Sequence, residues 1–300
     1  MTTENLHRFD AQSAEGTLRA ACTIVGFTPG KVELLRLGDH ALFRMHGGQI
    51  VSRVGRHPDR LPSVGREVAI AHWLSREEYP AVRLAVTAEQ PVAVHGHPVT
   101  FWEGLVDGEE YASTREMGSL LRRLHALEAP PASLPELRPF DKVGRRLRRA
   151  EIGAEARSYL TALATDLATS YDRLDFALPR GHVHGDFNVG NVLRDSHGQP
   201  HVIDLDGFAV GPREWDLTQT AMYYESFGWH TADEYAGFAA AYGFDVRKWP
   251  GYPVLRSVRE LLMITWLAQN AGTDPRASEE VAKRIATLRE GGSRRKWAPF

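Results

Sequence analysis

The chain has 300 residues, 43% hydrophobic and 25% charged, which are the proportions of a folded globular protein and exclude disordered or fibrous classes. Its 36 Lys and Arg against 38 Asp and Glu leave a formal charge of −2, without the basic excess of a nucleic-acid binder. The single cysteine, Cys22, excludes an intramolecular disulfide and fits a reducing compartment. The opening MTTENLHRFD lacks a cationic start followed by an apolar stretch, and no apolar run approaches the ~18–20 residues that cross a bilayer. A cytoplasmic protein that touches neither membrane nor nucleic acid is expected.

Ser13 to Val25 carries apolar residues at helical spacing behind a candidate serine cap. Val32–Leu37, Ala41–His46 and Gln49–Val54 then read as strands, and Gly47-Gly48 between two of them is a hairpin signal. Ser63 is placed to cap a helix through VGREVAIAHWL. There Glu67, Ile70, Ala71 and Leu74 share one face. A carboxylate on such a face calls for a cationic partner, because an unpaired buried charge is costly. Val92–Val94 and Val99–Trp102, joined by HGH, read as a second hairpin. A polar link near Glu103–Asp107 follows, and then long helices over 111–127, 141–152 and 154–174. Short apolar segments interrupt the helices between Gly181 and Gly207, and helical patterns resume from Arg213. The boundaries expected are 1–102 for a strand-rich lobe and 103–300 for a helical one.

The interrupting cluster carries the chemistry. It reads HVHGDFNVGNVL from His182, then VIDLDG from Val202. Apolar residues precede each acidic group, as in short strands that deliver carboxylates to a loop. Asp186, Asn191, Asp204 and Asp206 offer oxygen donors only, a set suited to a hard cation such as Mg²⁺. The gap between Asp186 and Asp204 is long enough for one strand hairpin to bring them side by side. Two bland readings stay open: these residues as turn formers, and Asp206 as a solvent-facing side chain.

HGDFNVGNVL followed by VIDLDGFAVGPREWDL resembles the aminoglycoside phosphotransferase family, relatives of the protein kinases with an HGDxxxxN loop and a following IDxx segment. The resemblance is strong from His184 to Asp216 and diffuse over the first hundred residues. It implies an α+β, protein-kinase-like bilobal fold, with a small mixed β-sheet N-lobe and a larger, mostly helical C-lobe. It also implies transfer of the γ-phosphoryl group of ATP or GTP, with Mg²⁺, to a hydroxyl of a small molecule. By the same resemblance Asp186 is the catalytic base, Asn191 and Asp204 hold the metal, and Asp206 is a possible supplement to it. His184 braces the loop, and Asp216 holds it by hydrogen bonds. LGDHALFRM resembles the nucleotide loop around Gly38, and VSRV the strand whose cation meets the phosphates and pairs with a helix glutamate. That cation is Arg53 and its partner Glu67, with Arg56 as the other cation in reach of the role; an ordinary ion pair is the bland alternative. No Lys lies between Lys31 and Lys142 where kinases use one, and arginine can hold phosphate bidentately. TFWEGLVDG resembles the hinge, where backbone groups of Trp102, Glu103 and Leu105 meet the nucleobase.

The acceptor expected from the resemblance is an antibiotic-like natural product of aminoglycoside, nucleoside, peptide or macrolide type, in resistance or self-protection. Small-metabolite kinases of choline, homoserine or sugar type are the alternative. From Leu205 to Phe300 acidic and basic side chains are equal in number, which does not favour a strongly cationic acceptor. The aromatic run from Tyr223 to Phe244 is read as core with some rings lining the acceptor pocket, and the arginines at 145, 146, 148 and 149 as a solvated basic face. The protein is expected as a monomer or homodimer. A rival of another class is a zinc hydrolase using His182, His184 and Asp186.

Overall fold

Asp10 starts the first helix. Its carboxylate accepts from the Ser13 amide (2.9 Å) while its own amide donates to the Ser13 hydroxyl (3.0 Å), a reciprocal capping box. In the computed structural model, which describes residues 9–38, 40–105, 110–128, 130 and 133–300, helix α1 spans Ala11–Ile24. Ser13 is thus the third residue of α1 and not its cap, because the Asp–Ser pair satisfies two orphan groups where a lone serine satisfies one. Strands β1 (Val32–Leu37), β2 (His40–Met45) and β3 (Ile50–Gly55) follow, the last two joined by a 3₁₀ turn at His46–Gly48. Helix α2 (Leu61–Arg76) starts ahead of Ser63, whose hydroxyl donates back to the Arg60 carbonyl (2.8 Å). Pro62 in its first turn replaces the expected cap, since its missing N–H is no loss there. Then come β4 (Val92–Val94) and β5 (His97–Glu103). The five strands form one sheet in the order β1-β2-β3-β5-β4, antiparallel at every pairing. One face of α1, with Leu18 and Cys22, packs on Phe43, Met45, Val54 and Phe101 of the sheet. Burial pushes the Cys22 thiol up to about 11, so it stays a neutral core side chain.

The expected link at Glu103–Asp107 lies outside the described residues from 106 onward, as does Asp39 beside Gly38. Helices α3 (Thr114–Ala126), α4 (Val143–Arg149) and α5 (Ala154–Tyr171) are each shorter than their apolar patterns. Tyr111 stands outside α3 in a bridge to Leu193. Arg146 departs from the solvated face expected of its neighbours: it is half-buried and donates to the Leu262 carbonyl (3.4 Å). After β6 (Gly181–Val183) the chain makes the hairpin β7 (Val192–Arg194) and β8 (Pro200–Val202), and then β9 (Ala209–Gly211), which pairs with β6. Helix α6 (Glu214–Met222) runs into a π-helical turn at Tyr223–Phe227, followed by α7 (Ala232–Tyr242), α8 (Tyr252–Ala268) and α9 (Pro275–Glu290).

Two compact units result, and neither is continuous in sequence. The first comprises 1–112, 127–134 and 190–208; the second 113–126, 135–189 and 209–300. The β7–β8 hairpin belongs to the first unit because backbone bonds tie it there. Val202 donates to the Pro80 carbonyl (2.9 Å) and accepts from Val82 (2.8 Å), and Ala112 donates to the Val192 carbonyl (2.9 Å). Among the described residues no helix is long and apolar enough to cross a membrane.

Candidate active site

In the first unit, Glu67 lies on the buried face of α2 with only 4% of its surface exposed. The partner that such a carboxylate demands is Arg53 on β3, whose Nη1 donates to Glu67 Oε1 at 2.7 Å. The other fork nitrogen, Nη2, reaches Asp204 Oδ1 at 3.4 Å. One guanidinium therefore joins the sheet, the helix and the loop after β8, each carboxylate meeting its own nitrogen of the planar fork. Burial pushes the Glu67 carboxyl up to about 7 against the pull of Arg53, and Asp206 and Asp204 add to the rise. Burial alone would lower Arg53, but the carboxylates of Glu67, Asp204 and Asp206 outweigh it and hold Arg53 above its ordinary value. Arg56, the other cation considered, lies over the Phe9 ring at 5.2 Å.

The β7–β8 hairpin makes Asp204 and Asn191 neighbours. Val192 pairs with Val202, and the amide of Ile203 donates to the Asn191 carbonyl (3.0 Å), which sets Asn191 beside the residue that precedes Asp204. Asp204 sits at φ 60° and ψ 63°, left-handed backbone that costs a non-glycine residue about 1–2 kcal/mol. Strain of this kind persists where the surrounding structure fixes it, and here it aims a side chain that stays 39% exposed. Asp206 follows in the 3₁₀ turn Leu205–Gly207 and is solvent-exposed. The donors at this place are carboxylate and amide oxygens with no sulfur, and they fit Mg²⁺, which takes one or two protein carboxylates and fills its shell with water and phosphate oxygens.

Gly38 lies between β1 and β2, its amide donating to the His40 carbonyl (3.0 Å). Trp102 is buried in β5 opposite Val51, with its indole N–H on the Thr100 hydroxyl (2.9 Å). The Glu103 amide donates to the Arg83 carbonyl and the Gly104 amide to the Gln49 carbonyl, both at 2.8 Å, so these two donors are spent inside the unit. Gly104 has to be glycine, because a Cβ there would overlap the Gly48 carbonyl oxygen. Leu105 is half-buried at the end of the described stretch.

In the second unit, β6 delivers His184 and Gly185, and Asp186 follows with its side chain 52% exposed. The loop is held from below by Asp216 on α6, which is fully buried. Asp216 Oδ2 accepts from the His184 amide (2.7 Å) and Oδ1 from the Gly185 amide (2.9 Å). A third donor was not visible in sequence: His125, near the end of α3, gives its Nε2 proton to Asp216 Oδ2 (3.1 Å), and its Nδ1 is hydrogen-bonded to the Tyr242 hydroxyl (2.9 Å). The tautomer follows from the partner, since a carboxylate can only accept. Burial alone would raise Asp216, but the His125 bond and the contacts of His184 reverse it and hold the carboxyl below the usual range. His184 is fully buried and its Nδ1 accepts from the Asp186 amide (3.3 Å). Gly185 takes φ 88°, the left-handed turn that lets the loop leave the strand.

A second residue missed in sequence is Arg259 of α8. Its Nη1 lies 3.5 Å from Asp186 Oδ1, its Nη2 donates to the Gly185 carbonyl (3.1 Å), and the guanidinium covers the Trp215 ring at 4.1 Å. Of the aromatic run, Phe227, Tyr235, Phe238 and Tyr242 are buried, while Tyr223, Tyr224, Trp229 and Phe244 are half-buried. His182 is committed elsewhere, its Nε2–H donating to the Leu124 carbonyl (2.8 Å), and burial lowers its pKa. Among the described residues no three His, Cys, Asp or Glu side chains are grouped to hold a metal ion.

The family model described as the phosphotransferase enzyme family matches residues 39–258, more than half of the chain. The chain belongs to this family and is a small-molecule phosphotransferase, which overturns the zinc-hydrolase reading of His182, His184 and Asp186. Among solved structures it is similar to an amicoumacin kinase, determined with AMP-PNP, Ca²⁺ and Ami. That match has a TM-score of 0.73 and 16% identity over 99% of this chain and 98% of that one. It is also similar to a microcompartment-associated aminopropanol kinase (TM-score 0.68, 20% identity, 96% and 100% covered). A third likeness is to an aminoglycoside phosphotransferase from Streptomyces rimosus (TM-score 0.63, 21% identity, 84% and 99% covered). At these identities the likeness establishes the α+β, kinase-like fold. No curated protein matches the chain.

Proposed function

We propose that this phosphotransferase moves the γ-phosphoryl group of ATP or GTP to a hydroxyl of a small, antibiotic-like natural product, in the cytoplasm and in resistance or self-protection. The observation that carries the reading is the Arg53 guanidinium spanning buried Glu67 and exposed Asp204. A cation fixed on one side by a buried carboxylate, with an open carboxylate on the other, is built to hold phosphate oxygens beside a metal ion. Asn191 and Asp204 would hold Mg²⁺, with Asp206 as a supplement to the site, and the bound ion would supply charge neutralisation on the phosphates. Arg53 binds phosphate oxygens, and Glu67 keeps its fork in place. Backbone groups of Trp102, Glu103 and Leu105 other than the committed Glu103 amide, together with the turn at Gly38, receive the nucleotide. Asp186 accepts the proton of the acceptor hydroxyl, while Asp216 and His184 hold the loop in which it sits.

The acceptor is of modest charge. Glu225 is bonded to Arg247 and Arg256 (3.2 Å each) and Glu260 to Arg294 (3.2 Å), so the carboxylates beside the π-helical turn are already neutralised. The partly open rings of Tyr223, Tyr224 and Trp229 offer stacking surface for a sugar or planar group.

Calorimetry of ATP and GTP, with and without Mg²⁺, tests the donor half on wild type and Asp204→Asn. Metal-dependent binding is expected, weakened about tenfold or more by the substitution, since one carboxylate–cation contact is worth on the order of 1.5–3 kcal/mol. Equal affinity of the two proteins in Mg²⁺ would sink the metal assignment. A panel of hydroxyl acceptors, scored by ADP or GDP release, then separates the antibiotic reading from a small-metabolite kinase of choline, homoserine or sugar type.

A further inference from the structure

Arg259 is an expensive residue to place where it is. Its side chain is 9% exposed, its Nε has no hydrogen-bond partner among the described residues, and burying a guanidinium costs several kcal/mol before any contact offsets it. The offsets are specific. Nη2 donates to the Gly185 carbonyl (3.1 Å), with the Trp215 carbonyl at 3.4 Å, and the indole N–H of Trp215 donates to the same Gly185 oxygen (2.8 Å). The ring of Trp215 lies under the guanidinium at 4.1 Å. With those contacts made, Nη1 is turned toward Asp186 Oδ1 at 3.5 Å. A packing role alone would be met by methionine or leucine. The feature that needs a guanidinium is the simultaneous grip on the Gly185 carbonyl and the neighbouring carboxylate, from a helix that starts more than sixty residues further along the chain.

We infer that Arg259 is a positioning residue of the phosphoryl transfer: it fixes the rotamer of Asp186 through a guanidinium locked by Trp215 and the Gly185 carbonyl. The inference rests on the reading of Asp186 as the base. A carboxylate half open to water has several rotamers, and a misplacement of 1 Å in a reacting group can cost about 100-fold in rate. Arg259 acts through Asp186, so its loss lowers kcat and leaves nucleotide KM unchanged.

The test uses the full chain and hydrolysis of the Mg²⁺ complex of ATP or GTP, water standing in for the acceptor hydroxyl, with thermal unfolding run beside it. Arg259→Met is expected to lower kcat about 10- to 100-fold at a nucleotide KM within about twofold of wild type. Arg259→Lys is expected between the two, because an ammonium keeps the charge and loses the double grip. In the Asp186→Asn background, Arg259→Met is expected to add no further loss. If the methionine variant does not fold, the lysine variant carries the test, with a three- to tenfold fall in kcat expected, on the order of one hydrogen bond. Wild-type kcat in the folded Arg259 variants, beside a slow Asp186→Asn, would overturn the inference alone, as would losses that multiply in the double variant. An undiminished rate in Asp186→Asn would overturn the reading of Asp186 and the inference with it.

Discussion

Replacing Asp186 with alanine is expected to lower kcat for phosphoryl transfer about 1,000-fold while leaving nucleotide affinity and Tm at their wild-type values. The three parts of this expectation come from three features of the molecule. The side chain is 52% exposed, so little packing goes with it, and Arg259 keeps the Gly185 carbonyl and the Trp215 ring as partners when the carboxylate is removed. The residues assigned to the nucleotide, Arg53, Glu67, Asn191 and Asp204, belong to the first unit and Asp186 to the second, so donor binding has its own set of contacts. What disappears is the group proposed to orient and deprotonate the acceptor, and general-base assistance is worth roughly 10²–10⁴ in rate. ADP or GDP release, calorimetry and a thermal melt read the three parts separately. A variant that turns over at the wild-type rate would remove Asp186 from the chemistry.

The first-unit site was legible because its elements carry strong local signals. Glu67 interrupts an apolar face at helical spacing, and that anomaly alone calls for a cation nearby; Arg53 supplies it at 2.7 Å. The turn between β7 and β8 follows from two short apolar runs around a polar stretch, and it places Asn191 by Asp204. Helix starts were less legible. Ser13 and Ser63 are both acceptable caps by propensity, yet Asp10 and the Leu61-Pro62 start prevail, because the winning cap is decided by which nearby group completes the backbone hydrogen bonds.

The second-unit site was only half legible. Asp186, His184 and Asp216 stand in one motif-rich stretch, but the residues that support them lie far away in sequence. Arg259 sits in LRSVRELLMITWLA, a stretch that carries no motif and drew no functional reading. The signal that was available is the one that revealed Glu67: Arg259 stands four residues after Leu255 and one after Val258, on the buried side of α8. His125 gave no comparable sign, since a lone histidine near a helix end is compatible with core, cap or surface. Long-range partners of this kind are set by tertiary packing, which periodicity does not encode.

Asp216→Asn is expected to lower the stability of the second unit at pH 7 by about 2–4 kcal/mol, a large share of the 5–15 kcal/mol typical of a domain. The carboxylate accepts three hydrogen bonds, two from backbone amides and one from His125, and is fully buried. An amide has one oxygen. With its NH₂ at the Oδ1 position it meets the Gly185 N–H; at Oδ2 it meets both the His184 amide and His125. Either choice sets donor against donor in a place closed to water, so at least one buried N–H goes unsatisfied. The same bonds give the wild type a signature in acid. Asp216 has its pKa below the unfolded carboxylate value of about 3.9, so its contribution is fully present above that pH and is lost as pH falls through the lower, folded value. Urea unfolding from pH 7 down to about pH 3 therefore separates the two proteins. Wild type is expected to start higher and to lose stability steeply below about pH 4, whereas the asparagine variant starts low and lacks that component of the fall. Equal midpoints at pH 7 would show that the three bonds do not hold the loop. The same outcome would strip Asp216 of its place in the site, because the amides it grips belong to His184 and Gly185, the two residues that lead directly into Asp186.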